Sequence, residues 1–386
     1  MKKCLGVIIL LTAVFVSTGF SASLATWEGA PADANHPGNI AGIGKWTNPY
    51  WKPELPAPPG IPGEIKISKP KTVCTVDSNV GNYVFKLTIT GGTDAATAPK
   101  LEIAKGANLG LGEFRVGGGG AASTGGAGRV NQTGGTLNLG NKLIIGRYGT
   151  SQNNPNAATG FYTISGGTIT YLPTNPDPTI YIGAAGAAEG TLTVAGKGAN
   201  ISIKKLYVGG DGKKSGGTGT LEFKIDANGV SPIKVEDGVF IDSSGEATTA
   251  KLTVSATAVP PKGDILLVET TGSTPITGVF DTVNEKPATE GAEVVLNSAG
   301  INYFYKLTYK GGMGANDIML KFDHSAPGAA PAAPAAKPAA PAAPAAPAPA
   351  KPVAPAAPAA PVKPAAPAPA APATPAPAKA EPNKAK

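Results

Sequence analysis

Apolar and polar residues alternate along much of the chain in short runs that end at glycine. In LGLGEFRVGG (109–118), Leu109 and Leu111 are followed by Phe114 and Val116. In ISIKKLYVGG (201–210), Ile201 and Ile203 are followed by Leu206 and Val208. A period of two places alternate side chains on opposite faces of an extended strand, so one face is apolar and the other polar. Glycine is dense and no 3.6-residue apolar stripe occurs, so helices are excluded. The pattern predicts strands of four to six residues separated by tight corners.

The runs recur in a fixed order. Ala107-Asn108 matches Ala199-Asn200, and Gly117-Gly118 matches Gly209-Gly210. NQTGGTLNLGNKLIIG (131–146) follows the same plan with Leu137, Leu139, Leu143, Ile145 and Gly146. A further copy has Ile169 and Tyr171, an inserted LPTNPDPT, then Ile180, Ile182 and Gly183. The closing glycines at 117, 146, 183 and 209 are spaced 29, 37 and 26 residues apart. Fixed order with loose spacing is the signature of a solenoid, because insertions at corners leave the stack intact. The predicted fold is all-β: a right-handed parallel β-helix with about three short strands per coil and an inner column of Leu, Ile and Val. Eight to ten coils are expected between about residue 60 and 320, a rod roughly 40–50 Å long. Gly117, Gly134, Gly135, Gly146, Gly166, Gly167, Gly183 and Gly209 are read as corner residues, where positive φ or close backbone approach is needed.

Composition divides the chain further. Residues 1–25 (two lysines, an apolar run from Leu5 to Val16, then small residues) have the plan of a secretory signal cut after Ser23 or Ala25. Residues 26–60 form an aromatic, proline-rich cap with Trp27, Trp46 and Trp51. The solenoid is assigned to 61–324. From Ser325 to Lys386 the chain is nearly all Ala, Pro and spaced Lys, and proline at every second or third position forbids helix. An extended polyproline-like tail is expected, about 190 Å at full reach. With Cys4 in the signal, Cys74 is alone in the mature chain and no intramolecular disulfide can staple the fold. Two lysines fall in the signal, and the tail carries six lysines against one glutamate. The net charge of +7 therefore belongs to the ends, and residues 26–324 are neutral. A neutral body argues against nucleic-acid binding.

Few residues suggest chemistry. Polysaccharide lyases and glycosidases need converging carboxylates, or an acidic calcium cluster with a nearby base. Glu102, Asp177, Asp211 and Asp226 are isolated, and the adjacent Glu236-Asp237 reads as a solvated turn. His36 and His324 lie in the cap and at the tail junction, so neither a histidine metal site nor a serine–histidine triad has material. GGDGKKSGG (209–217) lacks phosphate-loop spacing and a following helix, so it reads as a corner loop. GGMGANDIML (311–320) is one residue too long for a calcium-binding nonapeptide and occurs once. No catalytic residue, metal or cofactor is assigned. Outward Tyr181 and Tyr207 are the candidates for stacking on sugar rings. An anionic envelope or matrix polysaccharide, held through the lysines of the tail, is the partner the charges suggest.

Several phrases resemble a known family. VNQTGGTLNLG and YTISGGTIT are similar to the repeats of secreted bacterial β-helix proteins with autotransporter-associated β-strand repeats. GDILLVETTGSTPITGVFDTVN and FYKLTYKGGMGANDIMLKF resemble the terminal coils of those proteins, with Tyr309, Gly311-Gly312 and Asn316-Asp317-Ile318 in the family's order. ATWEGAPADANHPGNIAGIGKW resembles their N-terminal cap. The likeness covers most of 26–322 and implies a passenger-like surface or extracellular solenoid. No β-barrel segment and no LPxTG sorting signal follows the solenoid here, so the Ala/Pro tail stands where attachment is expected. Together these features predict a secreted, non-enzymatic structural or interaction protein; a carbohydrate-binding or polysaccharide-degrading β-helix is the rival reading.

Overall fold

A computed structural model describes residues 64–327 apart from 119–125, 148–157, 173–176, 185, 187, 211–216, 243–247 and 313–315, with three short strands at Leu24–Trp27, Ile43–Lys45 and Trp51–Lys52. The expected signal up to Ser23, most of the 26–60 cap and the tail beyond Pro327 lie outside the described residues. The chain divides into two compact units, Met1–Pro331 and Ala332–Lys386, and all described strands fall in the first. Among the described residues there is no helix, and none therefore long and apolar enough to cross a membrane.

The strands stack in parallel as a β-solenoid whose turns each have three arms. Arm one runs through 73–76, 100–103, 129–132, 161–164, 191–194, 220–223 and 251–254 on successive rungs. Arm two runs through 108–111, 136–139, 168–169, 200–201 and 233–235. Arm three runs through 64–67, 86–89, 113–116, 142–145, 179–182, 205–208 and 238–241. On arm three, Leu87, Phe114, Leu143, Ile180, Leu206 and Val239 point inward in one column and are fully buried. Each inner Leu or Ile contributes about 1.5–3 kcal/mol from removal of apolar surface. A one-residue slip would turn the whole column outward, so the pattern also fixes the register.

Six turns are complete between 73 and 241, giving a stack about 30 Å long. This is shorter than the eight to ten coils expected, for two reasons. Each turn spends 26–37 residues on three arms and their corners. The end of the chain, moreover, does not continue the parallel stack. Glu293–Ser298, Ile301–Gly311 and Asp317–Pro327 form an antiparallel meander. Its last strand pairs antiparallel with Ile265–Thr270 of the final turn. The expected boundary at 324/325 also moves, because Ser325, Ala326 and Pro327 pair with Tyr303, Asn302 and Ile301. At the other end, Leu24–Trp27 pairs parallel with Glu64–Ile67 and Ile43–Lys45 with Val73–Val76, so parts of the cap extend arms three and one.

The glycines occupy two kinds of corner. Where arm three passes to the next turn, Gly117, Gly146, Gly183 and Gly209 have φ between 68° and 76°. Their amides donate to Ile89, Val116, Ile145 and Ile182 carbonyls at 2.8–2.9 Å, which carries the ladder through the bend. A second glycine column, Gly128, Gly160, Gly190 and Gly219, packs against them: a Cβ on Gly160 would stand 2.4 Å from the Gly146 nitrogen. Between arms one and two the paired glycines divide their roles. Gly135 and Gly167 take φ of 67° and 86°. Gly134 and Gly166 are close approaches instead, where a Cβ would meet the Lys105 Cα at 2.8 Å and the Thr133 carbonyl at 2.6 Å.

Candidate functional site

The outer side of arm three is built of two columns set by the inward register of the arm. One holds Lys66, Thr88, Arg115, Ile144, Tyr181, Tyr207 and Phe240 on successive rungs. The neighbouring one holds Lys86, Glu113, Lys142, Thr179, Lys205 and Gly238. The upper part of the first column is an aromatic ladder. Tyr181 and Tyr207 are stacked with centroids 4.9 Å apart and planes 19° apart, and Tyr207 and Phe240 at 4.5 Å and 15°. The two tyrosines read as sugar-stacking residues therefore stack first on each other. Both faces of Tyr207 are covered by rings, and one face of Tyr181 is, so the ladder turns mainly ring edges and hydroxyls outward.

The lower part of the face is basic. Glu113 is gripped by Arg115 and lies 3.7 Å from both the Lys142 and the Arg147 cation. Partial burial pushes its carboxyl up, but the Arg115 hydrogen bond and the charges of Arg115, Lys142 and Arg147 outweigh this and hold it below the usual carboxylate range. Lys86 is the rung neighbour of Glu113. Arg115, Lys142 and Arg147, three cations on two adjacent rungs, thus share one carboxylate. The segregation is wider than this cluster. Residues 64–147 carry ten basic and five acidic side chains, including all three arginines of the chain. Residues 148–327 carry thirteen basic and seventeen acidic ones. The neutral sum for the body conceals a charge gradient along the rod.

At the corner between arms two and three, the acidic pair does more than face solvent. The Tyr171 hydroxyl donates to Glu236, two turns above, and that bond pushes the phenol up to about 12. Lys204 on the intervening turn lies 3.6 Å from Glu236, 3.9 Å from Asp237 and 5.9 Å above the Tyr171 ring. Asp177 and Lys205 pair at 3.0 Å. Tyr171 is the rung partner of the fully buried Leu139, yet is only half-buried.

The remaining acidic residues are also engaged locally. Glu102 pairs with Lys100 at 2.6 Å, and Asp226 accepts the Asn228 amide at 2.7 Å. Asp317, in the segment compared with a calcium nonapeptide, accepts the Thr270 amide at 2.8 Å and joins the antiparallel cap to the last turn. His324 stacks on Phe304 at 4.4 Å, while His36 and Asp211 lie outside the described residues. Among the described residues no group of three or more His, Cys, Asp or Glu is placed to hold a metal ion. Cys74 is fully buried in the inner column of arm one beside Leu101, and burial pushes its thiol up, which suppresses the reactive thiolate.

One internal polar pair escapes the sequence reading. Gln132 stands on an inward position of arm one, fully buried. It donates to the Thr168 carbonyl at 3.1 Å and accepts from the buried Tyr162 hydroxyl at 2.7 Å. A polar residue at an inward beat of the alternation is the available signal. Comparison of the chain with models of known protein families, with curated protein sequences and with solved structures found no match.

Proposed function

We propose that the protein is a secreted, non-enzymatic structural or interaction protein of the cell surface, envelope or extracellular matrix. In this reading the solenoid is a stiff rod that offers flat outer faces to other molecules, and the Ala/Pro/Lys segment after Pro327 tethers it. The supporting observation is the arrangement of the chemistry-bearing groups. Among the described residues, carboxylates, cations and aromatic rings pair from rung to rung, as in Glu113 with Lys142 and Tyr171 with Glu236, instead of converging on one point. Catalysis by a lyase or hydrolase needs an acid and a base aimed at one bond. Such pairing spends those groups on each other.

Fractionation tests the reading. The full chain is expected in the envelope or matrix fraction, and removal of 328–386 or high salt should release it to the medium. Each lysine near an anionic surface contributes at most about 1 kcal/mol, so retention depends on several acting together. Retention of the truncated protein would place anchoring in the rod. Release of unsaturated or reducing ends from a polysaccharide, abolished by one Asp or Glu substitution, would replace the reading with the enzymatic one.

A further inference from the structure

We infer that the lower half of the arm-three face is a binding strip for a linear acidic polysaccharide, engaged by Arg115, Lys142 and Arg147. The inference rests on the interaction-rod reading and names the partner of one face. Its ground is an imbalance of charge: three cations on two adjacent rungs share Glu113 as their common carboxylate. Glu113 orients the group but leaves it strongly positive, so the cluster gains most from a partner that brings further anions. Arginine suits this role, because its planar fork matches carboxylate and sulfate oxygens two at a time. All three arginines of the chain lie in residues 115–147.

The footprint decides between partners. Arm three is four residues wide, about 13 Å, and the stack is about 30 Å long. Their product, roughly 400 Å² for the whole face, is about half of what one side of a stable protein–protein interface covers, and the strip is only part of that face. A second copy of the chain is therefore poorly matched, although its acidic half carries the right sign. A single extended polymer chain lying along the rod fits the strip. Single-stranded nucleic acid binds largely by stacking bases on exposed ring faces. The aromatic ladder further up the same face offers few such faces, since Tyr207 is covered on both sides.

The test uses the full-length protein with polygalacturonate, and fully methyl-esterified polygalacturonate as the same chain without charge. Binding is measured by calorimetry at low and at physiological salt. The wild type is expected to bind the charged polymer, more weakly as salt rises, and not the ester. Lys142→Gln with Arg147→Gln keeps the Arg115–Glu113 contact and should weaken binding roughly 30-fold at low salt, about 2 kcal/mol. Lys306→Gln with Lys321→Gln, in the antiparallel cap, removes the same charge elsewhere and should change affinity less than about twofold. Equal loss from both pairs, no loss from the first pair, equal binding of the ester, or tighter binding of single-stranded DNA would each overturn the inference. None of these outcomes alters where the protein fractionates, so the strip can fail while the rod reading stands.

Discussion

Alanine at Gly146 is the sharpest test of the corner geometry. Gly146 has φ of 70°, which costs a residue with a Cβ about 1–2 kcal/mol. Its Cβ would also stand 2.2 Å from the Glu189 carbonyl oxygen and 2.7 Å from the Gly190 nitrogen, on the arm-one strand two turns on. Those are backbone atoms held in a ladder, so two rungs must shift, at a further cost of about 1–3 kcal/mol. A total of about 3 kcal/mol is expected for Gly146→Ala. Gly209 has the same φ of 70°, but its Cβ would stand 2.9 Å from the Thr249 oxygen. There the facing column has Ala250 in place of glycine, so the corner is already wider. Gly209→Ala should therefore cost about 1–2 kcal/mol, mostly from the positive φ. Asp242 occupies the equivalent position one turn later with φ of 48°, and its amide donates to Val208 at 2.9 Å. Asp242→Gly relieves that strain but frees the unfolded chain, so the net change should stay within about 0.5 kcal/mol. Urea unfolding followed by circular dichroism reads the series. Equal losses at Gly146 and Gly209, or a neutral Gly146→Ala, would refute the interlocked-column argument.

Tyr162→Phe strips the fully buried Gln132 oxygen of its donor and should cost about 1–3 kcal/mol by the same assay, with part of the loss recovered when Gln132→Leu is added. Glu113 is held below its ordinary range in the folded state, so its stabilising contribution is present above the unfolded value of about 4.3 and is lost as pH falls through the folded value. Thermal melts should accordingly decline below about pH 4, and Glu113→Gln should flatten that decline. Deleting 328–386 should leave the melting temperature unchanged. Deleting 325–386 should lower stability by about 1 kcal/mol, because it also removes Ser325, Ala326 and Pro327, the strand partners of Tyr303, Asn302 and Ile301.

The arms are legible because their signals are local. Period-two alternation and a glycine after the last apolar residue mark 109–117, 137–146 and 201–209 without knowledge of the rest of the chain. What shares a column is harder to see, since turns differ by up to eleven residues in spacing and register must be carried through each corner. Phe240 joins Tyr181 and Tyr207 in the structure, but the residue closing its turn is Asp242, so the glycine marker is missing. The partners of Glu236 are hidden for a related reason: Tyr171 is 65 residues away in sequence. Strand polarity is a different matter, because parallel and antiparallel strands can alternate alike. A usable cue exists at Ala299-Gly300, where both residues have positive φ, the two-residue hairpin geometry that reverses a chain between Ser298 and Ile301.

That reversal has a consequence for how such a molecule can grow. A parallel stack ends in a row of open amides and carbonyls, and an identical coil from another molecule could dock there and repeat indefinitely. Asp317–Pro327 runs against Ile265–Thr270, so an incoming parallel coil meets a strand of opposite sense where it would need its own continuation. That end is therefore expected to resist fibre growth by coil addition. Length is then expected to be a property of the gene and not of concentration, with the rod lengthening by duplication of whole turns. A duplicated turn bounded by matched corners, such as Gly146 and Gly183, restores both glycine columns and returns the cap to its seat. A duplication that cuts a turn short leaves one arm unpaired and should be eliminated by misfolding.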